Sequence, residues 1–162
     1  MKASKIVIAA SCVAVLSVVT FGSFTHEAAA ASGAESLAVR KAVMRSIGTH
    51  FGAIIGAIKS GNQKAIKAAE RHAMAIHWLS AGIPVLTPPG SGSKAGKSGA
   101  LPKIWQDWAG YTKAAQGLNT ESRKLAAVLK SGDARAALAQ FKNTGKIGCG
   151  GCHGTYRVKK KK

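Results

Sequence analysis

The five residues Cys149-Gly150-Gly151-Cys152-His153 near the C-terminus constrain the fold more than any other stretch. A CxxCH spacing is the attachment signature of a c-type haem. Two cysteines three apart on a helix lie on one face, about one turn apart, where their thiols can add to the two vinyl groups of a porphyrin. His153 follows directly and can offer the axial nitrogen that is one of the standard protein levers on haem iron. One such motif implies one covalent haem c per chain. The pair has two other readings. Zinc would need two more ligands from far away, with His50, His72 and His77 as candidates. Thiol–disulfide exchange would normally place the pair after a strand in a βαβ pattern, and no strand pattern precedes it.

The N-terminus points the same way. Residues 1–31 read as a secretory signal peptide, with Lys2 and Lys5 before the apolar run Ile6 to Val19 and the small residues Ala28 to Ala31 at the cleavage site. The apolar run is too short for a permanent span, so the mature chain, residues 32–162, is expected to be soluble and periplasmic. Haem attachment to CxxCH takes place on that side of the bacterial inner membrane. Cys12 is discarded with the leader, which leaves Cys149 and Cys152, both assigned to haem.

Without Lys2, Lys5 and Glu27, the 24 basic and 6 acidic residues become 22 and 5, a formal net charge of +17 before haem propionates are counted. A field of that sign steers association with an acidic redox partner or brings the chain to an anionic membrane surface. The bland alternative is a solvated basic face plus the tail Lys159 to Lys162. Nucleic acid is the other reflex reading of so basic a chain, and export argues against it. The five scattered acids offer no carboxylate pair and no nucleophile constellation appears. Enzymatic turnover is therefore not expected beyond the iron's own chemistry.

The mature chain reads as helix, helix, crossover, helix, helix, an all-α antiparallel four-helix bundle. Ser32 and Glu35 have capping-box spacing, and Leu37, Arg40, Met44, Ile47, Phe51, Ile54 or Ile55, and Ile58 share one stripe up to Gly61. Arg40 stands on that apolar side, where a guanidinium needs an anion, such as a haem propionate, or an escape to solvent. Asn62 caps a second helix with Ile66, Ala69, Ala73, Ile76 and Ser80 inward. Residues 82–103 hold all four prolines and form a crossover loop expected to lack secondary structure. Pro102 starts the third helix, with Ile104 or Trp105, Trp108, Tyr111, Ala115, Leu118, Ser122, Leu125 and Leu129 inward. Gly132 ends it and Asp133 caps the fourth, where Ala134, Leu138, Phe141, Gly145, Cys149, Cys152 and Tyr156 share a side. The glycines around the motif make a poor helix, at about 1 kcal/mol each against alanine. Arg157 falls one turn beyond His153 and can lie beside its imidazole.

Three stretches together resemble the cytochrome c′ family: Arg40-Lys41-Ala42-Val43-Met44, Pro102-Lys103-Ile104-Trp105, and Cys149 to His153 followed by Tyr156-Arg157 and a lysine tail. The resemblance implies an exported bundle with His153 as proximal ligand, Arg157 beside it, Arg40 at the haem edge and Met44 over the distal face. It also implies five-coordinate, high-spin iron open to NO and CO, and often a homodimer packed through the first two helices. Relatives on the same fold use a methionine at the Met44 position as a sixth ligand and act as low-spin electron carriers. Both branches are open on the sequence, and Arg40 one turn earlier looks more like the open one.

Overall fold

Polar caps mark where the chain turns in the computed structural model, which describes residues 32–159. The expected signal peptide and the last three lysines lie outside the described residues. Ser32 opens α1 (Gly33–Lys59) with a reciprocal capping box: its Oγ accepts from Glu35 N–H while Glu35 accepts from Ser32 N–H at 2.7 Å. Gly61, at φ +64°, turns the chain into α2 (Gln63–Ala68), capped by Asn62. A local irregularity at Ala69 separates α2 from α3 (Glu70–Ala81). Across the crossover follow α4 (Lys103–Gln106) and α5 (Trp108–Leu129). Gly132, at φ +75°, and the Asp133 cap then start α6 (Ala134–Asn143), which runs through a π-helical stretch, Thr144–Gly150, into α7 (Gly151–Tyr156).

These pieces form the four arms of an antiparallel bundle: α1, α2 with α3, α4 with α5, and α6 through α7. The expected second-helix stripe is fully buried at all five positions, Ile66, Ala69, Ala73, Ile76 and Ser80. Ile54, Leu125 and Leu129 close the end away from the motif, where apolar burial at about 25 cal/mol per Å² supplies most of the stabilisation. Met44 and Phe51 are only half-buried, because the core opens beside them.

Three expectations change. The third helix is broken at Asp107 (φ −128°, ψ 60°), whose carboxylate accepts from Gly110 N–H and restarts the helix as α5. Trp108 consequently points outward at 41% exposure instead of joining the inward stripe. The crossover is not structureless. It holds a 3₁₀ turn, Ser93–Ala95, and buried Thr87 bridges Ile83 O and Tyr111 Oη while Trp105 Nε1 donates to Thr87 O. In the fourth arm, Ala137, Thr144 and Gly148 are buried deeper than Leu138, Gly145 and Cys149 beside them. The π-helical stretch carries one extra residue per turn and shifts the register assumed for a plain α-helix.

Among the described residues no helix is long and apolar enough to cross a membrane.

Candidate functional site

A cavity of about 920 Å³ opens at one end of the bundle, within the size range of small-molecule and cofactor pockets. One wall carries Cys149, Cys152, His153 and Tyr156 from the fourth arm. The facing wall is α1, with Leu37, Arg40, Met44, Ile47, Gly48 and Phe51. Ile83, Ile104, Tyr111 and Leu118 line the interior, and Arg157 stands at the rim. Every residue that the sequence singled out as a candidate, Cys149, Cys152, His153, Arg40, Met44 and Arg157, therefore meets at one cavity.

The π-helical stretch sets the height of the motif. Gly148 packs directly on α5: a methyl group in its place would sit 2.8 Å from Leu118 Cδ1 and 2.9 Å from its Cα. The glycine thus lets two helix backbones approach at the floor of the cavity. Four residues earlier, Thr144 is buried and donates to Gln140 O at 2.9 Å. Glu121 of α5, also buried, accepts from Gln140 Nε2 at 2.8 Å, Asn143 Nδ2 at 3.0 Å and Lys124 Nζ at 2.7 Å. Its carboxyl is held below the usual range, first by Lys124 and then, against the opposing effect of burial, by Gln140. This polar knot ties α5 to the start of the π-helical stretch.

Both cysteines are free thiols, half-buried. Burial raises the Cys149 pKa, and burial together with the neighbouring Cys149 raises that of Cys152 to about 11. Both are protonated at neutral pH. His153 is exposed to the cavity opening, and its pKa is lowered by partial burial of the ring and then by the Arg157 charge. Arg157 reaches it by a different route from the one its spacing suggests. The helix ends at Tyr156, and Arg157, in extended conformation, forms an antiparallel bridge with Ala100 of the crossover. Tyr156 Oη donates to Asp107 Oδ2 at 2.6 Å, which raises the phenol pKa to about 12 and locks the end of α7 onto the break between α4 and α5.

Arg40 is buried at 8% exposure and lies at the cavity wall without a carboxylate partner. Its guanidinium donates instead to Leu86 O at 2.9 Å, Ser91 Oγ at 2.8 Å and Ser91 O at 2.6 Å. These bonds fasten the crossover to α1 but leave a net positive charge beside the cavity, and burial lowers the Arg40 pKa. Sequence spacing revealed the buried guanidinium and not its partners, which lie 46 and 51 residues away.

The other histidines among the described residues lie elsewhere. His50 and His72 face each other across α1 and α3, Nδ1 to Nδ1 at 2.8 Å, and His77 Nδ1 lies 3.0 Å from Asn119 O. None of the three lines the cavity.

The cavity's composition fits a haem. Its interior is mostly apolar, one wall presents two thiols and an imidazole, and an uncompensated cation lies at its edge, complementary to propionate. Comparison with known proteins agrees. Residues 35–157 match the family model described as Cytochrome C′. Cytochrome c-556 of Agrobacterium tumefaciens (strain II Chrys) is 30% identical over 121 residues, 75% of this chain and 95% of that protein. The crystal structure of cytochrome c′ from Thermochromatium tepidum superposes with a TM-score of 0.70 at 27% identity, covering 81% of this chain and all of that one. The nitric oxide complex of a cytochrome c prime mutant from Alcaligenes xylosoxidans gives a TM-score of 0.68 at 25% identity, with 80% of this chain and 98% of that one covered. Four-helix architecture, a C-terminal CxxCH on the wall of an apolar cavity and a family match across nearly the whole described chain converge: this chain belongs to the cytochrome c′ family, whose members carry one covalent haem c.

Proposed function

We propose that this is a periplasmic cytochrome c′ whose Cys149 and Cys152 hold the haem, whose His153 is the axial ligand and whose distal face, under Met44, is open to NO and CO. The observation that carries this reading is the cavity itself, with the CxxCH side chains on one wall and α1 facing them. Bound there, haem iron supplies reversible one-electron chemistry and a coordination position for a diatomic gas. Cys149 and Cys152 would hold the haem through thioether bonds to its two vinyl groups. Arg157 sits beside His153 and disfavours an anionic imidazole. Arg40 holds the crossover against α1, and its charge would be available to a haem propionate.

Gly48, one turn from Met44, adds no side chain to the α1 wall of the cavity. Met44, Ile47 and Phe51 offer no hydrogen-bond donor, which favours NO and CO over dioxygen. The nitric oxide complex of the Alcaligenes xylosoxidans protein supports the same choice. The competing reading, a low-spin electron carrier with Met44 as sixth ligand, is favoured by the position of the thioether on the wall facing His153. The chain acts in either case through the iron and not as a hydrolytic or transfer enzyme. Residues 1–31 are the leader that exports it, and a homodimer through the first two arms, α1 and α2 with α3, accords with the family.

Optical spectra of the purified haem protein, ferric and ferrous, with and without CO, separate the two. The expected result is a high-spin spectrum and prompt CO binding, with Met44→Ala changing gas rates and not spin state. A low-spin spectrum that resists CO, converted to high-spin by Met44→Ala, would instead assign Met44 to the iron.

A further inference from the structure

Five cations from three separate stretches of chain meet at the mouth of the cavity: Lys41 and Arg45 on α1, Lys97 in the crossover, and Arg157 and Lys159 after α7. All five are exposed. They converge because the chain end is stitched onto the crossover, Leu101 N–H donating to Tyr156 O at 3.0 Å and Val158 N–H to Gly99 O at 2.8 Å. Neither the order of residues nor helical spacing would bring Lys97 next to Lys159.

Among the described residues, no carboxylate lines this mouth. The five acids of the described residues are engaged elsewhere. Glu35 and Asp133 cap α1 and α6, and Asp107 holds Gly110 and Tyr156. Glu70 and Glu121 form the two ion pairs found among the described residues, with Lys130 and Lys124. Two haem propionates would neutralise only part of the rim, since Arg40 adds a sixth positive charge beneath it. Between Arg157 and Lys159 on the same lining, Val158 is 54% exposed. Exposed apolar surface beside polar, charged residues suits a protein interface.

We propose that this mouth is the docking surface for an acidic electron-carrier protein, which brings its redox centre to the haem edge there. The proposal rests on the haem reading above. A protein fits better than an anionic membrane because the cations encircle an opening that a convex acidic surface can enter. A flat bilayer would be met more evenly by charges spread along a helix face.

The test uses the holoprotein in its ferric form, mixed in stopped flow with reduced flavodoxin as the acidic carrier, at physiological ionic strength and at high salt. Wild type should react more slowly as salt rises. The paired change Lys97→Glu and Lys159→Glu should cut the rate at physiological ionic strength by about tenfold, in line with electrostatic steering. The same charge change at Lys59, about 27 Å down α1 from Lys41 and so several screening lengths away, and at Lys64, at the start of α2 just beyond that end, should alter the rate by less than about twofold. Equal losses in both variants would overturn the proposal in favour of total charge. So would an unchanged flavodoxin rate in the mouth variant accompanied by loss of binding to phosphatidylglycerol vesicles, which would reassign the rim to a membrane. Reduction by dithionite checks the reading beneath. If no variant, wild type included, shows a reducible haem band, the haem reading and the proposal fall together. If all are reduced normally but the flavodoxin rates do not discriminate, the proposal alone falls.

Discussion

At the scale of single residues, the glycines around the motif are of two kinds. Gly148 is required by its neighbour: a methyl group there would fall within 3 Å of the Leu118 side chain and its Cα, and backbone cannot step aside as a flexible side chain can. Gly148→Ala should cost about 1–3 kcal/mol, the usual range for overpacking a tight site. Gly154 has open space where a side chain would be and lies within α7. Gly154→Ala should stabilise by up to about 1 kcal/mol through helix propensity alone. Thermal unfolding of the two holoproteins checks both, and equal effects would mean that propensity and not packing governs this stretch. The glycine-rich composition alone suggested only a weak helix. It did not separate the two kinds, because the contact that distinguishes them comes from a residue 30 positions earlier.

At the scale of elements, the fourth arm depends on Glu121. Its side chain binds Gln140 and Asn143 in the last turns of α6 and so fixes where the π-helical stretch begins. Glu121→Ala leaves those amides without their acceptor and should destabilise by about 1–3 kcal/mol. The sign of its pH dependence follows from the lowered carboxyl pKa. A carboxyl depressed in the folded state stabilises above its unfolded pKa, near the ordinary 4.5, and loses that contribution as pH falls through this value toward the folded one. Acid unfolding of Glu121→Ala, followed by circular dichroism, should therefore show a flatter stability profile below about pH 4.5 than wild type. Where the sequence was legible and where it was not divides along the same line. The caps Ser32, Asn62 and Asp133 and the turn glycines Gly61 and Gly132 act on residues within three or four positions, and the sequence places all five. The CxxCH motif is equally local, and helical periodicity put Arg40 and Met44 on the side that faces it. The break at Asp107 answers to Tyr156, 49 residues on, the π-helical stretch to Glu121, and the ordered crossover to Arg40 and Tyr111. Glu121 counts in the sequence only as one of five scattered acids because the amides that satisfy it lie on another helix.

At the scale of the whole molecule, two interfaces are in question, and salt affects them in opposite ways. Two copies of a chain with a formal charge near +17 repel, so a homodimer through α1 and α3 must overcome like charge with apolar contact and should tighten as salt screens it. An acidic partner at the cavity mouth should loosen under the same change. The apolar group best placed to hold the dimer is Trp78 on α3, 68% exposed and larger than any other exposed apolar side chain near that pair of helices. An indole covered at the centre of an interface is the residue type that most often dominates binding. Trp78→Lys should weaken the dimer by about 2 kcal/mol or more, roughly 30-fold in Kd, and leave monomer helicity unchanged. Sedimentation velocity across a concentration series at low and high salt reads both effects at once. If wild type dimerises more tightly at high salt and Trp78→Lys stays weaker than wild type even there, the apolar face of α3 holds the dimer. If the variant dimerises as well as wild type, the contact lies on another face. A dimer that instead dissociates as salt rises would be held by charge, which for so basic a chain would require an anion bridging the two copies.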